Sequence, residues 1–138
     1  MDTKGFVEML NQDLSTEYQS SVQYTNHVAT ITGAEYLSIV DELKLHLSQE
    51  LGHAQILATQ VSFLGGSPTT TVATVVAADD SRSALQADLR LEQDQLDRYR
   101  ERFAQANDLG LADVAEALRP LLEQTQEHVR DLQAALGE

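Results

Sequence analysis

Apolar residues recur along this chain at alternating three- and four-residue steps, the period of an α-helix with one buried face. Val7, Leu10, Leu14, Ser21, Tyr24 and Val28 follow it in a first segment, and Leu43, Leu47, Ala54, Leu57, Val61 and Leu64 in a second. Leu85, Leu89, Leu96, Tyr99, Phe103 and Ala106 mark a third, and Val114, Leu118, Leu121, Leu132 and Ala135 a fourth. The pattern predicts four helices, over about 3–31, 35–64, 81–107 and 111–136, each about 40 Å long at 1.5 Å rise per residue. Gly33, the run Gly65-Gly66-Ser67-Pro68 and the run Asn107-Asp108-Leu109-Gly110 fall where the segments should part. Asp2 or Thr3 can cap the first helix, and Asp79, Asp80 or Ser81 the third.

The connection over 65–80 is too long for a hairpin between antiparallel neighbours, so it is expected to run the length of the bundle and return the chain in parallel. Its Thr69–Val76 run has β-propensity and is expected to lie as an extended strap on the surface. Pro120, inside the fourth segment, should kink or loosen that helix. The resulting expectation is all-α: residues 1–138 as a single four-helix-bundle domain with a long crossover between the second and third helices. The two halves, 1–64 and 81–136, would be helical hairpins of unrelated sequence.

Composition narrows what such a bundle could do. The chain has 138 residues, enough for one buried core. Nine basic against 22 acidic residues leave a net charge of −13. That balance disfavours nucleic acid and anionic lipid as partners and favours cations. Without cysteine there can be no disulfide, thiolate metal site or thiol nucleophile. No run of 18 apolar residues exists, and the N-terminus has no secretion-type apolar stretch, so a reducing, cytoplasmic setting is expected.

Each apolar seam has a polar gap. Glu17 fills it in the first helix, Glu50 in the second, Glu92 in the third, and Thr125 with His128 in the fourth. A seam position faces the bundle interior, where an ionised carboxylate without a partner costs several kcal/mol. All these gaps lie near mid-helix, so they meet at one level whether neighbours run parallel or antiparallel. One glutamate in a seam is ordinarily a boundary residue, but four helices agreeing in phase and height point to a shared site. Mutually repelling acids must then hold protons or bind cations. His53, three residues after Glu50, projects from the same face. Carboxylate with imidazole suits iron or manganese better than copper. His27 and His46 are expected at the surface or rim, with a role at the site open to His46, one turn before Glu50. Tyr24 is expected to pack in the core with its hydroxyl satisfied, or to supply a supporting hydrogen bond to a ligand.

These residues resemble the ferritin-like superfamily, and within it the bacterioferritins, over about residues 5–136. The resemblance rests on Leu10-Asn11 through Glu17 and Gln23-Tyr24, on Glu50-Leu51-Gly52-His53-Ala54, and on Phe63-Leu64-Gly65-Gly66-Ser67-Pro68. It continues through Asp88-Leu89-Arg90-Leu91-Glu92 and His128-Val129-Arg130-Asp131-Leu132. It implies an up–down–down–up bundle with non-haem iron in its core: Glu17 and His53 on one iron, Glu92 and His128 on the other, Glu50 between them. It also implies oxidation of ferrous iron by oxygen or peroxide, for storage or detoxification.

Three departures qualify the likeness. Thr125 stands where a second Glu-x-x-His would begin, so the site is expected to hold a di-iron pair or, if Thr125 degrades it, a single iron. Gln124 is neutral, and Glu123 and Glu127 lie off the seam. Leu51 occupies the haem-methionine position, so no haem is expected. The chain ends soon after the fourth helix, leaving a shell of many subunits unassured. The competing readings are a metal-binding or structural protein without turnover, and a rubrerythrin-type peroxidase needing an external electron donor. Ile31, Ile39, Leu45 and Ile56 are expected on outer faces and suggest a homodimer or larger homo-oligomer.

Overall fold

A computed structural model describes residues 1–138. The chain forms α1 (Thr3–Thr30), α2 (Leu37–Phe63), α3 (Ser81–Asp108), α4 (Ala112–Ala117) and α5 (Arg119–Leu136), with a short 3-10 turn at Ala34–Tyr36. Asp2 starts α1 by accepting the Gly5 N–H at 2.8 Å, and Asp80 starts α3 by accepting the Ser83 N–H at 2.7 Å. The fourth segment is two helices rather than one. α4 stops at Ala117, and Pro120 falls in the first turn of α5, where its missing N–H breaks no ladder bond. No helix is long and apolar enough to cross a membrane.

Cross-helix pairs establish the topology. Along α1 and α3, Asp13 meets Arg102, Ser20 meets Gln95, and His27 meets Asp88, so the two helices are antiparallel. Along α2 and α5, His46 meets Asp131 and His53 meets Gln124, which makes that pair antiparallel as well. The connection over 64–80 runs beside α1 in extended form. Asn11 bonds Ser67 and Thr69, Ser15 bonds Thr71 and Ala73, and Gln23 accepts the Val76 N–H. It thereby carries the chain the full length of α1, and the order is up–down–down–up. At its start Gly65 has φ +88°, and a Cβ on Gly66 would lie 2.6 Å from Val7 Cγ1, so glycines let the strap turn tightly against α1.

Two apolar clusters fill the bundle. One holds Phe6, Leu10, Leu14, Leu57, Val61, Leu118 and Leu121, the other Tyr24, Leu43, Leu85, Leu89, Leu96 and Leu132. Each fully buried leucine contributes about 1.5–3 kcal/mol, and together these plugs offset the polar layer between them. Two residues expected on the outside belong to the core instead. Ile31 and Ile39 are buried in the second cluster, because the turn after α1 folds that end of the bundle inward. Ile56 is half-buried, and Leu45 alone of the four is exposed.

Candidate metal centre

The structure brings Glu17 of α1, Glu50 and His53 of α2, Glu92 of α3 and His128 of α5 into one pocket between the apolar plugs. All five are buried, at 0 to 1 % exposure. They form two donor groups, Glu17–Glu50–His53 and Glu50–Glu92–His128, within each of which the donor atoms lie inside 4.8 Å of one another. Glu50 belongs to both. His53 Nδ1 is 3.4 Å from Glu17 Oε1 and 3.5 Å from Glu50 Oε2. His128 Nδ1 is 2.9 Å from Glu50 Oε1 and 3.3 Å from Glu92 Oε1.

Close as they are, most of these atoms do not bond one another. Both oxygens of Glu50, one each of Glu17 and Glu92, and Nδ1 of His53 are buried without a hydrogen-bond partner. Buried polar atoms are left unpaired only rarely, and here they converge. The spacings also fit a cation. Donors bound at about 2.1 Å stand about 3.0 Å apart at right angles and about 3.4 Å apart at tetrahedral angles. The residues present therefore fit a pair of oxygen- and imidazole-ligated ions.

The surrounding side chains hold the donors in place. Gln124 Oε1 accepts from His53 Nε2 at 2.7 Å, and Gln49 Oε1 from His128 Nε2 at 2.6 Å. An amide oxygen can only accept, so in the neutral rings the proton sits on Nε2 and the Nδ1 lone pair faces the pocket. Tyr24 donates to Glu92 Oε1 at 2.8 Å, and Tyr99 donates to Glu17 Oε1. Burial, reinforced by the Glu92 and Glu17 charges, pushes both phenols well above their usual value, so they remain donors.

Electrostatics divides the acids. Burial, together with the charges of Glu17 and Glu92, pushes the Glu50 carboxyl well above the usual range. Glu92 is buried too, yet with the His128 ring protonated on both nitrogens its hydrogen bond and charge win and hold Glu92 at about 2. For His53, burial favours the neutral ring, but Glu17 outweighs it and the pKa rises. Without a cation the site thus keeps a proton on Glu50, which a bound ion would displace.

Thr125 is fully buried and its hydroxyl has no partner, so the fourth helix puts a small neutral group at that level. Glu123 and Glu127 are exposed. Leu51 is exposed on α2.

Two histidines lie deeper than their sequence context suggests. His46 is 1 % exposed, stacks on His128 at 4.0 Å between ring centroids, and bonds Asp131 through Nε2 at 3.0 Å. His27 is buried against Asp88, with Nδ1 2.7 Å from Oδ2. Both lie inward because polar partners on α5 and α3 make burial tolerable. The α1–α3 contact is in fact a polar seam. Gln23 donates to Asp88 at 2.8 Å, and Arg102 binds both oxygens of Asp13, at 2.8 and 3.3 Å. Gln49, Gln124 and the hydroxyl role of Tyr99 carry no signal in the apolar period, since glutamines on a helix ordinarily face water and Tyr99 sits in a seam as an apolar residue would.

A family model described as a ferritin-like domain matches residues 7–138. Among solved structures, one from Bacillus anthracis str. Ames, described as ferritin like, diiron-carboxylate proteins, is similar at 31 % identity with a TM-score of 0.93. The alignment covers 99 % of this chain and 98 % of that one. No curated protein matches the chain.

Proposed function

The chain belongs to the ferritin-like domain family, and on that footing we propose that it binds non-haem iron in this pocket and oxidises ferrous to ferric ion. Glu17 and His53 hold one ion, Glu92 and His128 the other, and Glu50 spans both. The observation that carries this reading is Glu50 itself: it is common to both donor groups, and neither of its buried oxygens makes a hydrogen bond. The description of the Bacillus anthracis structure as diiron-carboxylate supports a pair rather than a single ion.

Ferrous iron is the substrate, and oxygen or peroxide accepts its electrons. The residues' part is to bind and to place charge. Three carboxylates favour the ferric product over the ferrous substrate because the extra positive charge sits among them in a dry pocket. His53 and His128, held by Gln124 and Gln49, fix coordination. Tyr24 and Tyr99 hold Glu92 and Glu17 in the orientation that aims their second oxygens inward. Storage or detoxification of iron is the purpose this chemistry serves, with a homodimer or larger homo-oligomer as the working form. Leu45 is the exposed remnant of the expected apolar outer face, and sedimentation of the purified protein tests the assembly.

A second reading, binding without turnover, draws support from Thr125, which leaves the pair with one bridging carboxylate. A rubrerythrin-type peroxidase would need an outside electron donor, since the chain has no cysteine. Aerobic addition of ferrous iron to stripped protein separates these readings. Two irons per chain by elemental analysis with rapid oxygen consumption supports the ferroxidase. Binding without consumption supports the second reading, and no binding overturns both.

A further inference from the structure

Beyond the pocket, one set of ligating side chains is left without a role. Glu42, His46 and Asp131 bring three donor atoms within 4.8 Å of one another. On α2, Glu42 and His46 lie two turns and one turn before Glu50, and on α5 Asp131 lies one turn after His128. Glu42 and Asp131 line two surface cavities between these helices, each of about 440 Å³. The His46 ring is buried behind them, stacked 4.0 Å from the His128 ring at an interplanar angle of 25°.

We infer that Glu42, His46 and Asp131 form an outer cation site, a loading stop at the mouth of the pocket, for a divalent ion such as ferrous iron, manganese or zinc. One imidazole with two carboxylates is the donor chemistry those ions share. The group differs from an ordinary acidic patch in its histidine. His46 is 1 % exposed, and its Nδ1 is buried with no partner, while Nε2 faces Asp131 Oδ2 at 3.0 Å. That is an ordinary hydrogen-bond length, and it equals the spacing of two donors at right angles around an ion bound at about 2.1 Å, so an ion can replace the proton without moving either group. In the metal-free protein Nε2–H donates to Asp131 Oδ2, and a cation bound there would take that proton's place, the ring proton passing to Nδ1. His53 and His128 are held the other way round by their glutamines, with Nδ1 turned to the pocket.

Glu42 is solvent-exposed and Asp131 half-exposed, and Glu42 makes no hydrogen bond or ion pair in the structure. Both can therefore meet a hydrated ion and exchange its waters stepwise. Arg130 is a basic group among the residues lining one of the cavities. The net charge of −13 raises the local cation concentration around it. The destination of the ion rests on the pocket reading above, but the existence of the outer site does not.

Titration of the metal-stripped full-length chain with cobalt(II), followed by calorimetry and visible absorption, tests this. The Glu42→Gln, Asp131→Asn double variant changes two solvent-facing groups, and its far-UV spectrum and melting curve verify folding. It should bind one equivalent fewer than the parent chain, and its pocket should fill several-fold more slowly in stopped flow. Glu50→Ala should lose pocket equivalents and retain the outer one. An unchanged stoichiometry in the double variant overturns the outer site while leaving the pocket reading intact. Loss of the outer equivalent in Glu50→Ala would show that it never was a separate site.

Discussion

Gln124 Oε1 accepts a 2.7 Å hydrogen bond from His53 Nε2, joining α5 to α2 behind the pocket. A neutral amide thus decides which imidazole nitrogen faces the carboxylates. Partners of this kind typically change metal affinity about 10–100-fold when removed. Gln124→Leu should weaken cobalt or ferrous binding by about that factor, with a loss of about 1 kcal/mol in the stripped protein. Calorimetric titration and thermal melts of both forms check it. Unchanged affinity would make Gln124 a packing residue.

Glu50 governs how the protein answers to pH. Its carboxyl is raised in the fold by burial and by the charges of Glu17 and Glu92. A group that binds its proton more tightly folded than unfolded stabilises the fold at low pH, and that contribution is lost as pH rises above its ordinary value of about 4.5. The stripped protein should therefore melt lower as pH rises from about 5 to about 8. The iron-loaded form should do the reverse, because binding needs the carboxylate. Glu50→Gln should flatten the slope of the stripped form and lower both iron content and the melting temperature of the loaded form. Melting curves across pH, with proton release measured on loading, decide the matter. Full iron content in Glu50→Gln would remove Glu50 from the site.

Thr125→Glu would restore a second Glu-x-x-His to the fourth helix. A fourth buried carboxylate should lower the stability of the stripped protein by several kcal/mol. It should also raise the affinity for the second iron equivalent, since the pair would gain another bridging group. Differential melting with and without metal, and stoichiometry by elemental analysis, measure the two effects. Destabilisation without tighter binding would place residue 125 outside coordination reach.

Away from the pocket, Asp13 and Arg102 are both buried and paired. Burial pushes the Asp13 carboxyl up to about 6, against the pull of Arg102 and Arg98. Removing one partner strands the other charge, so Arg102→Met should cost about 3–5 kcal/mol in denaturant melts. Adding Asp13→Asn to it should recover part of that loss. Simple additivity of the two single changes would refute the pairing.

The apolar periods of the helices already contain the all-α class, and the mid-helix gaps at Glu17, Glu50, Glu92 and His128 contain the convergence. Helical phase and height are local quantities, set by backbone geometry, so a seam broken by a carboxylate is visible in the string of residues. Caps at Asp2 and Asp80 are legible for the same reason. Pro120 was legible only as a disturbance. That it opens α5 depends on where α4 stops.

What a second helix face buries is another kind of fact. Asp13, Gln23, His27, His46 and Asp88 look like solvent-facing polar residues until α1 meets α3, and α2 meets α5, with complementary groups at the same level. Ile31 and Ile39 turn inward only because the chain reverses beside them. Period alone sets which side of a helix is apolar. Burial of a charged or polar side chain depends on whether a partner from a distant segment compensates its lost water, and that pairing exists only once the helices are packed.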